Sequence, residues 1–314
     1  MHAATRLEKR IRAAEERVAA AYGLTMTEHP ITLDHPPVRL RALTTGTGTP
    51  VVHVNGLSVP AMGFAPLIAQ LPGHRHILLD LPGHSLAPPY RWQGRPIRDL
   101  AVRVLTGALD ALGLQQAAFV GSSLGGLFTL WTTLDAPARI TRAAIIGTPA
   151  TALPTIRATP AMATLTSPAR GPLAQWSMRL PSPRALARAA LAEAIGTNAA
   201  HGMTNDLLDL HRLPLRLPGQ AASYRALLRR LMHGHTARRE NILTDTQLAG
   251  ITTPLHFIWG QQDVFCSPQR GRPSVAKIPQ AQLTVVPGGH NPWLEDAAGC
   301  ATPVRSLLTG APKT

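Results

Sequence analysis

What most constrains this chain is an alternation of short apolar runs with segments of helical period, and the place where that alternation stops. Apolar runs at 51–54, 76–80, 117–120 and 143–147 are separated by stretches of helical spacing at 60–71, 97–112 and 124–134. Strands that alternate with helices need crossover connections, so the pattern predicts a largely parallel sheet covered by helices on both faces. Two earlier runs, 31–34 and 38–44, have strand character and are joined by a turn through His35-Pro36-Pro37. From 149 to 249 no strand is expected: the segment is rich in Ala, Leu, Arg and Pro, with helical patterns at 172–180, 183–195, 205–213 and 221–232. Several prolines fall at first-turn positions, where their missing amide does no harm. The alternation resumes with a strand at 255–260, a helix at 268–276 and a strand at 283–286, then a final helical region opened by Asn291-Pro292 and interrupted at Pro303. The expected organisation is an α/β core over 24–148 and 250–314, a helical insertion over 149–249, and an N-terminal amphipathic helix over 1–23. That helix reads from Leu7, Ile11, Val18 and Tyr22 opposite Arg10, Glu16 and Arg17, opened by a capping box at Thr5 and Glu8 and closed near Gly23. It is expected to dock on its own core, although the insertion or a second copy of the chain could also receive it, which leaves a homo-oligomer open.

Composition narrows the partners. The formal net charge is +14, but the basic residues are mostly scattered arginines with no long Lys/Arg run, and aromatic residues are only 4 % of the chain. A nucleic-acid footprint needs clustered charge, so no nucleic-acid partner is expected. Cys266 and Cys300 cannot form a disulfide framework, and no Cys/His spacing implies a metal. No segment reaches the apolar length of a membrane span and residues 1–21 lack an apolar signal-peptide core, so a cytoplasmic protein without membrane association is the expectation.

In an open α/β sheet, ligands bind at the carboxyl ends of the strands. Four sets of polar or glycine-rich residues fall there. Asn55-Gly56-Leu57 follows the strand at 51–54, Gly121-Ser122-Ser123-Leu124-Gly125 follows 117–120, Asp263 follows 255–260 in Trp259-Gly260-Gln261-Gln262-Asp263, and His290 follows 283–286 in Gly288-Gly289-His290. Gly121, Ser123 and Gly125 make a G-x-S-x-G pattern at a strand-to-helix turn, where small neighbours let a serine adopt a strained conformation and expose its hydroxyl. A serine is a poor nucleophile until an imidazole takes its proton, and a carboxylate orients that imidazole. Ser123, His290 and Asp263 have those types. Ser122 lacks the glycine two residues earlier, His84 is the competing imidazole, and Asp245 and Asp296 are weaker carboxylate candidates.

The order Ser, Asp, His, together with Asn55-Gly56, Asp80-Leu81-Pro82-Gly83-His84, the G-x-S-x-G turn, Trp259-Gly260-x-x-Asp263 and Gly288-Gly289-His290, resembles the α/β-hydrolase family. The resemblance covers nearly the whole core. It implies an α/β-hydrolase fold with a helical cap and a cofactor-independent serine hydrolase, esterase-like, acting on a hydrophobic small molecule. It further implies an oxyanion hole from the backbone amides of Leu124 and Leu57, with Ser58 the nearest alternative to Leu57. The family usually has His-Gly where this chain has Asn55-Gly56. Carbon-carbon bond hydrolysis, acyl transfer, a lyase or cyclase step, and a non-catalytic ligand-binding role are the alternatives on the same scaffold. Candidate pocket residues are Asn55, His84, Trp176, Met178, Met203 and Leu208, the last four in the insertion, where ordinary helix packing is the competing role.

Overall fold

The computed structural model describes residues 2–34 and 37–310, so His35 and Pro36 of the expected turn lie outside the described residues. The strands are β1 (Thr27–Leu33), β2 (Val38–Thr45), β3 (Thr49–Val54), β4 (His74–Asp80), β5 (Ala117–Ser122), β6 (Ile140–Ile146), β7 (Met232–His233), β8 (Thr236–Ala237), β9 (Leu255–Gly260) and β10 (Ala281–Val286). Eight of them form one sheet in the order β1-β2-β4-β3-β5-β6-β9-β10, antiparallel from β1 through β4 and parallel beyond. The helices are α1 (His2–Ala21), α2 (Ala65–Ile68), α3 (Ile97–Ala111), α4 (Leu124–Asp135), α5 (Pro160–Thr166), α6 (Gly171–Ser177), α7 (Arg184–Ile195), α8 (Thr197–Gly202), α9 (Asn205–Arg212), α10 (Gln220–Leu231), α11 (Asp245–Ala249), α12 (Pro268–Val275) and α13 (Ala297–Thr309).

The central strands β5 and β9 are buried along their whole length, because helices cover both sheet faces and every residue must then be compatible with a core. Their side chains still alternate between the two faces. Phe119 and Phe257 belong to the core on one face with α3, α4 and Leu227, Leu228 and Leu231 of α10, whereas Val120 and Ile258 belong to the core on the other with α1, α2, α13 and Met203, Leu207 and Leu208 of the insertion. The insertion therefore joins both cores. The edge strand β1 behaves differently: only Ile31 is buried, and Pro30 is tolerated there because one side of the strand needs no ladder donor.

Helix α1 buries Ile11, Ala14 and Val18 and ends at Gly23, which takes φ +66° while Leu24 N–H reaches Ala19 O at 2.9 Å, the left-handed cap expected of a C-terminal glycine. It docks on the core, as expected, and also on the insertion: Arg17 donates to Asp206 of α9 at 2.8 and 3.0 Å. On the core side, Arg41 of β2 donates to Asp80 at 2.8 Å, Glu15 at 3.0 Å and Glu28 at 3.1 Å.

Several boundaries differ from expectation. Helix α1 already runs from His2, so Thr5 lies inside it and Thr5 with Glu8 is not its opening box. The helix expected at 60–71 is a tighter turn, Ala61–Phe64, followed by α2. Within the insertion, α5, α8 and α11 and the short ribbon β7-β8 were not expected; elements of two to seven residues are too short to leave a readable period. Helix α13 continues through Pro303, which is buried beside Val304, so packing against the core holds a turn that has lost one amide donor.

Candidate active site

Ser123 sits between β5 and α4 at φ 51° and ψ −112°, a backbone conformation a non-glycine residue rarely adopts. The flanking glycines are what make the turn sterically feasible. A Cβ at Gly125 would lie 1.8 Å from Val54 O of the neighbouring strand, and one at Gly121 would lie 2.6 Å from Gly125 O. No larger residue fits either position without moving backbone. The G-x-S-x-G pattern is thus a consequence of how closely α4 and β3 approach the turn.

Asp263 and His290 come to the same rim on the loops after β9 and β10. His290 Nδ1 donates to Asp263 Oδ2 at 2.8 Å, and both side chains are buried. The carboxylate is fully satisfied: Oδ2 also accepts Thr148 N–H at 2.8 Å, and Oδ1 accepts Phe265 N–H at 3.0 Å. Burial alone would raise its pKa, but the imidazole and the two amides outweigh burial and hold Asp263 below the usual carboxylate range. Phe265 packs edge-on against the His290 ring with centroids 4.5 Å apart, which fixes the ring plane. The other nitrogen, Nε2, is buried without a hydrogen-bond partner among the described residues, and His290 and Ser123 line the same cavity.

The oxyanion-hole candidates also meet there. Leu124 opens α4, whose N-terminus has no side-chain cap among the described residues, and the helix dipole there favours negative charge. Leu57 and Ser58 line the cavity beside Ser123, and Ser58 has φ 62°. The loop behind them is held by Asn55 Nδ2, which donates to Pro60 O, and by Asp80 Oδ1, which accepts Ala61 N–H at 2.7 Å.

The cavity measures about 580 Å³, and a side pocket of about 40 Å³ adjoins Leu57, Ser123 and His290. Of the six expected pocket residues, the structure brings Met178 to the cavity wall; the other five line neither space. Asn55 is buried and turned to its own loop, and His84 is buried with Nδ1 3.1 Å from Pro82 O. Burial lowers the His84 pKa, so this ring is held neutral beside its own turn. Trp176 is 54 % exposed, because α6 presents that face to the outside, while Met203 and Leu208 pack in the core shared with α1. Ser122 is buried at the end of β5 and lines neither space; Asp245 pairs with Lys277 at 2.5 Å, and Asp296 caps α13 through Gly299 N–H at 2.8 Å. The walls that were not anticipated come from α5 (Met162, Leu165), α7 (Ala187, Leu191, Ile195), His211, Arg212, Tyr224 and Phe265. Their helical period was visible for α7. It marked an apolar face without saying whether core or cavity would cover it.

Among the described residues, no group of three or more His, Cys, Asp or Glu is placed to hold a metal ion, and no helix is long and apolar enough to cross a membrane. Burial pushes the Tyr224 phenol up to about 12 and His211 down to about 4, so both stay neutral in the cavity wall at neutral pH.

A strained serine and a buried imidazole-carboxylate pair beside a helix N-terminus, on one rim of a mostly parallel sheet, define an α/β-hydrolase arrangement. Residues 49–297 match the family model of the alpha/beta hydrolase fold, and the chain belongs to that family. It is 34 % identical over 104 residues to a 2-hydroxy-6-oxononadienedioate/2-hydroxy-6-oxononatrienedioate hydrolase of Dechloromonas aromatica, a match that spans 31 % of this chain and about a third (35 %) of that protein. A longer match, 28 % identical over 286 residues, covers 85 % of this chain and 98 % of a pimeloyl-[acyl-carrier protein] methyl ester esterase of Xanthomonas campestris pv. campestris. Among solved structures, carboxylesterase CesB from Bacillus subtilis superposes with a TM-score of 0.76 at 18 % identity, covering 98 % of this chain and all (100 %) of that one, a likeness of fold.

Proposed function

We propose that the chain is a serine hydrolase that cleaves an ester of a hydrophobic small molecule through a covalent acyl-enzyme. The observation that carries this reading is the meeting of Ser123, in its strained turn, with the Asp263-oriented His290 at one cavity. His290 Nε2 takes the Ser123 proton as Oγ attacks the ester carbon, and Asp263 stabilises the imidazolium that forms. The amides of Leu124 and Leu57 receive the oxyanion. His290 then protonates the departing alcohol, water enters, and the same ring deprotonates it to release the acid and restore Ser123. The mostly apolar cavity wall supports a hydrophobic substrate.

A second reading is hydrolysis of a carbon-carbon bond, supported by the match to the dienedioate hydrolase. Incubation with a fluorophosphonate followed by mass spectrometry should label Ser123, and a panel of alkyl and p-nitrophenyl esters should be turned over. Product analysis separates the two readings: cleavage of a vinylogous diketone with esters left intact would favour the second. Unchanged ester turnover by Ser123→Ala would sink the serine mechanism altogether.

A further inference from the structure

Among the described residues, the cavity wall holds no acidic side chain and one guanidinium, Arg212, next to His211 on the last turn of α9. Arg212 Nε donates to Asp209 Oδ1 at 2.6 Å and Nη1 to Ser182 O at 3.0 Å, while Nη2 has no partner among the described residues. Asp209 is already committed elsewhere. Arg184 Nε and Nη2 reach its two oxygens at 3.1 and 2.7 Å, so two guanidiniums share one carboxylate and one positive charge is left over. The other acid on α9, Asp206, is held by Arg17 at 2.8 Å. His211 is 6 % exposed, and neither ring nitrogen makes a hydrogen bond among the described residues.

A buried polar group without a partner is costly, and a neutral imidazole has one N–H to give. A buried cation short of counter-charge is costly for the same reason. One ligand group relieves both: an anionic oxygen pair that accepts from Arg212 Nη2 and from the His211 N–H. A hydrocarbon segment would meanwhile lie against Leu186, Ala187, Ala190, Leu191 and Ala194 of α7. Ser123, His290 and Arg212 line the same large cavity, and the side pocket at Ser123 and His290 does not include Arg212.

Resting on the hydrolase reading above, we propose that Arg212 and His211 form a carboxylate-recognition end of the cavity, so that the preferred substrate is a hydrophobic ester carrying a second, free carboxylate. Arg212 and His211 are specificity residues here; they take no part in bond cleavage. Holding both ends of the substrate at fixed places also favours one chain length over its neighbours.

The test uses half-methyl esters of straight-chain α,ω-dicarboxylic acids and the matching dimethyl esters, in a series of chain lengths. For the unaltered protein, kcat/KM should favour the half-ester over the diester by about 10- to 100-fold at the best length, the range of a hydrogen bond to a charged group. Arg212→Gln should bring that ratio close to unity, and His211→Phe should lower it several-fold. Calorimetry on Ser123→Ala should show the half-ester bound more tightly than the diester by a similar factor. A ratio near unity in the unaltered protein, equal binding of the two esters by Ser123→Ala, or a ratio that Arg212→Gln leaves unchanged would each overturn the proposal. The half-ester against diester comparison in the unaltered protein needs no variant, so it decides even if Arg212→Gln fails to fold. Diester turnover without a half-ester preference sinks this proposal alone; selective half-ester binding by Ser123→Ala with no turnover by the unaltered protein sinks the hydrolase reading and leaves the carboxylate end standing.

Discussion

Arg41 on β2 and Arg212 at the end of α9 both have largely buried side chains, 4 % and 13 % exposed, but their counter-charges differ. Arg41 is surrounded by Glu15, Glu28 and Asp80 and lines neither pocket, whereas Arg212 shares Asp209 with Arg184 and lines the cavity. A guanidinium oversupplied with protein carboxylates has no call for a ligand: it is a joint, here tying α1 to the sheet and, through Asp80 and the Ala61 amide, steadying the loop that carries Leu57. One that is undersupplied, and faces space, is where an external anion completes the pairing. A similar contrast separates Asp263 at the core rim, whose two oxygens are both bonded, from His211 of the insertion, whose ring nitrogens make no hydrogen bond among the described residues.

The division can be broken most forcefully at the core rim. Ser123→Ala should lower kcat by about 10⁴-fold or more on every ester tested, with no change in relative affinity among them. A variant that lost one ester class and kept another would show that the rim and the insertion are not separate in function. Next in size is the joint: Arg41→Ala leaves Glu15 and Asp80 buried without their cation and should cost about 3–5 kcal/mol, read as a fall in chemical-denaturation midpoint. Arg212→Gln should cost clearly less, since Asp209 keeps Arg184; equal losses would erase the contrast between the two arginines.

Acid should act on both regions. Burial lowers the pKa of His53, His76, His84 and His256 in the core and of His211 in the insertion, where it falls from 6.5 to about 4. Between those two pH values the unfolded chain binds a proton at His211 that the folded chain refuses. Stability is therefore complete above pH ~6.5 and declines as pH falls toward ~4, by roughly 3 kcal/mol for this residue at about 1.4 kcal/mol per unit. Glu15, whose pKa burial raises, titrates in the opposite sense. Melting temperatures taken between pH 7.5 and 4.5 should drop, and His211→Phe should flatten the curve; a flat curve for the unaltered protein would contradict the neutral, buried histidines. The smallest effect is expected at Met178, whose truncation to Ala should shift KM among acyl lengths only a few-fold and leave kcat alone, because its side chain forms one part of a wide wall.

The legible part of the site was the part that sterics and chain order encode locally. Gly121 and Gly125 are forced by contacts with α4 and β3, and Asp263 and His290 each follow the end of a strand whose apolar run was plain. The illegible part was orientation within the insertion. Met203, Leu208 and Met178 are all apolar residues on or beside helices; two of them entered the core shared with α1 and one reached the cavity. His211 and Arg212 carried no motif, and His84 carried one but turned inward to its own loop.

By itself, then, the sequence determined the alternating α/β core and the identities of the serine, aspartate and histidine at the strand ends. Those features follow from period, from glycine where no Cβ fits, and from residue order, which are properties of neighbouring residues. The tertiary structure alone decided which insertion helices face the two cores and which face the cavity, that α1 bridges core and insertion, and that Arg212 is left with less negative charge than it needs. Each of these depends on distances between segments far apart in the chain, and an amphipathic pattern records only that a face is covered, not what covers it.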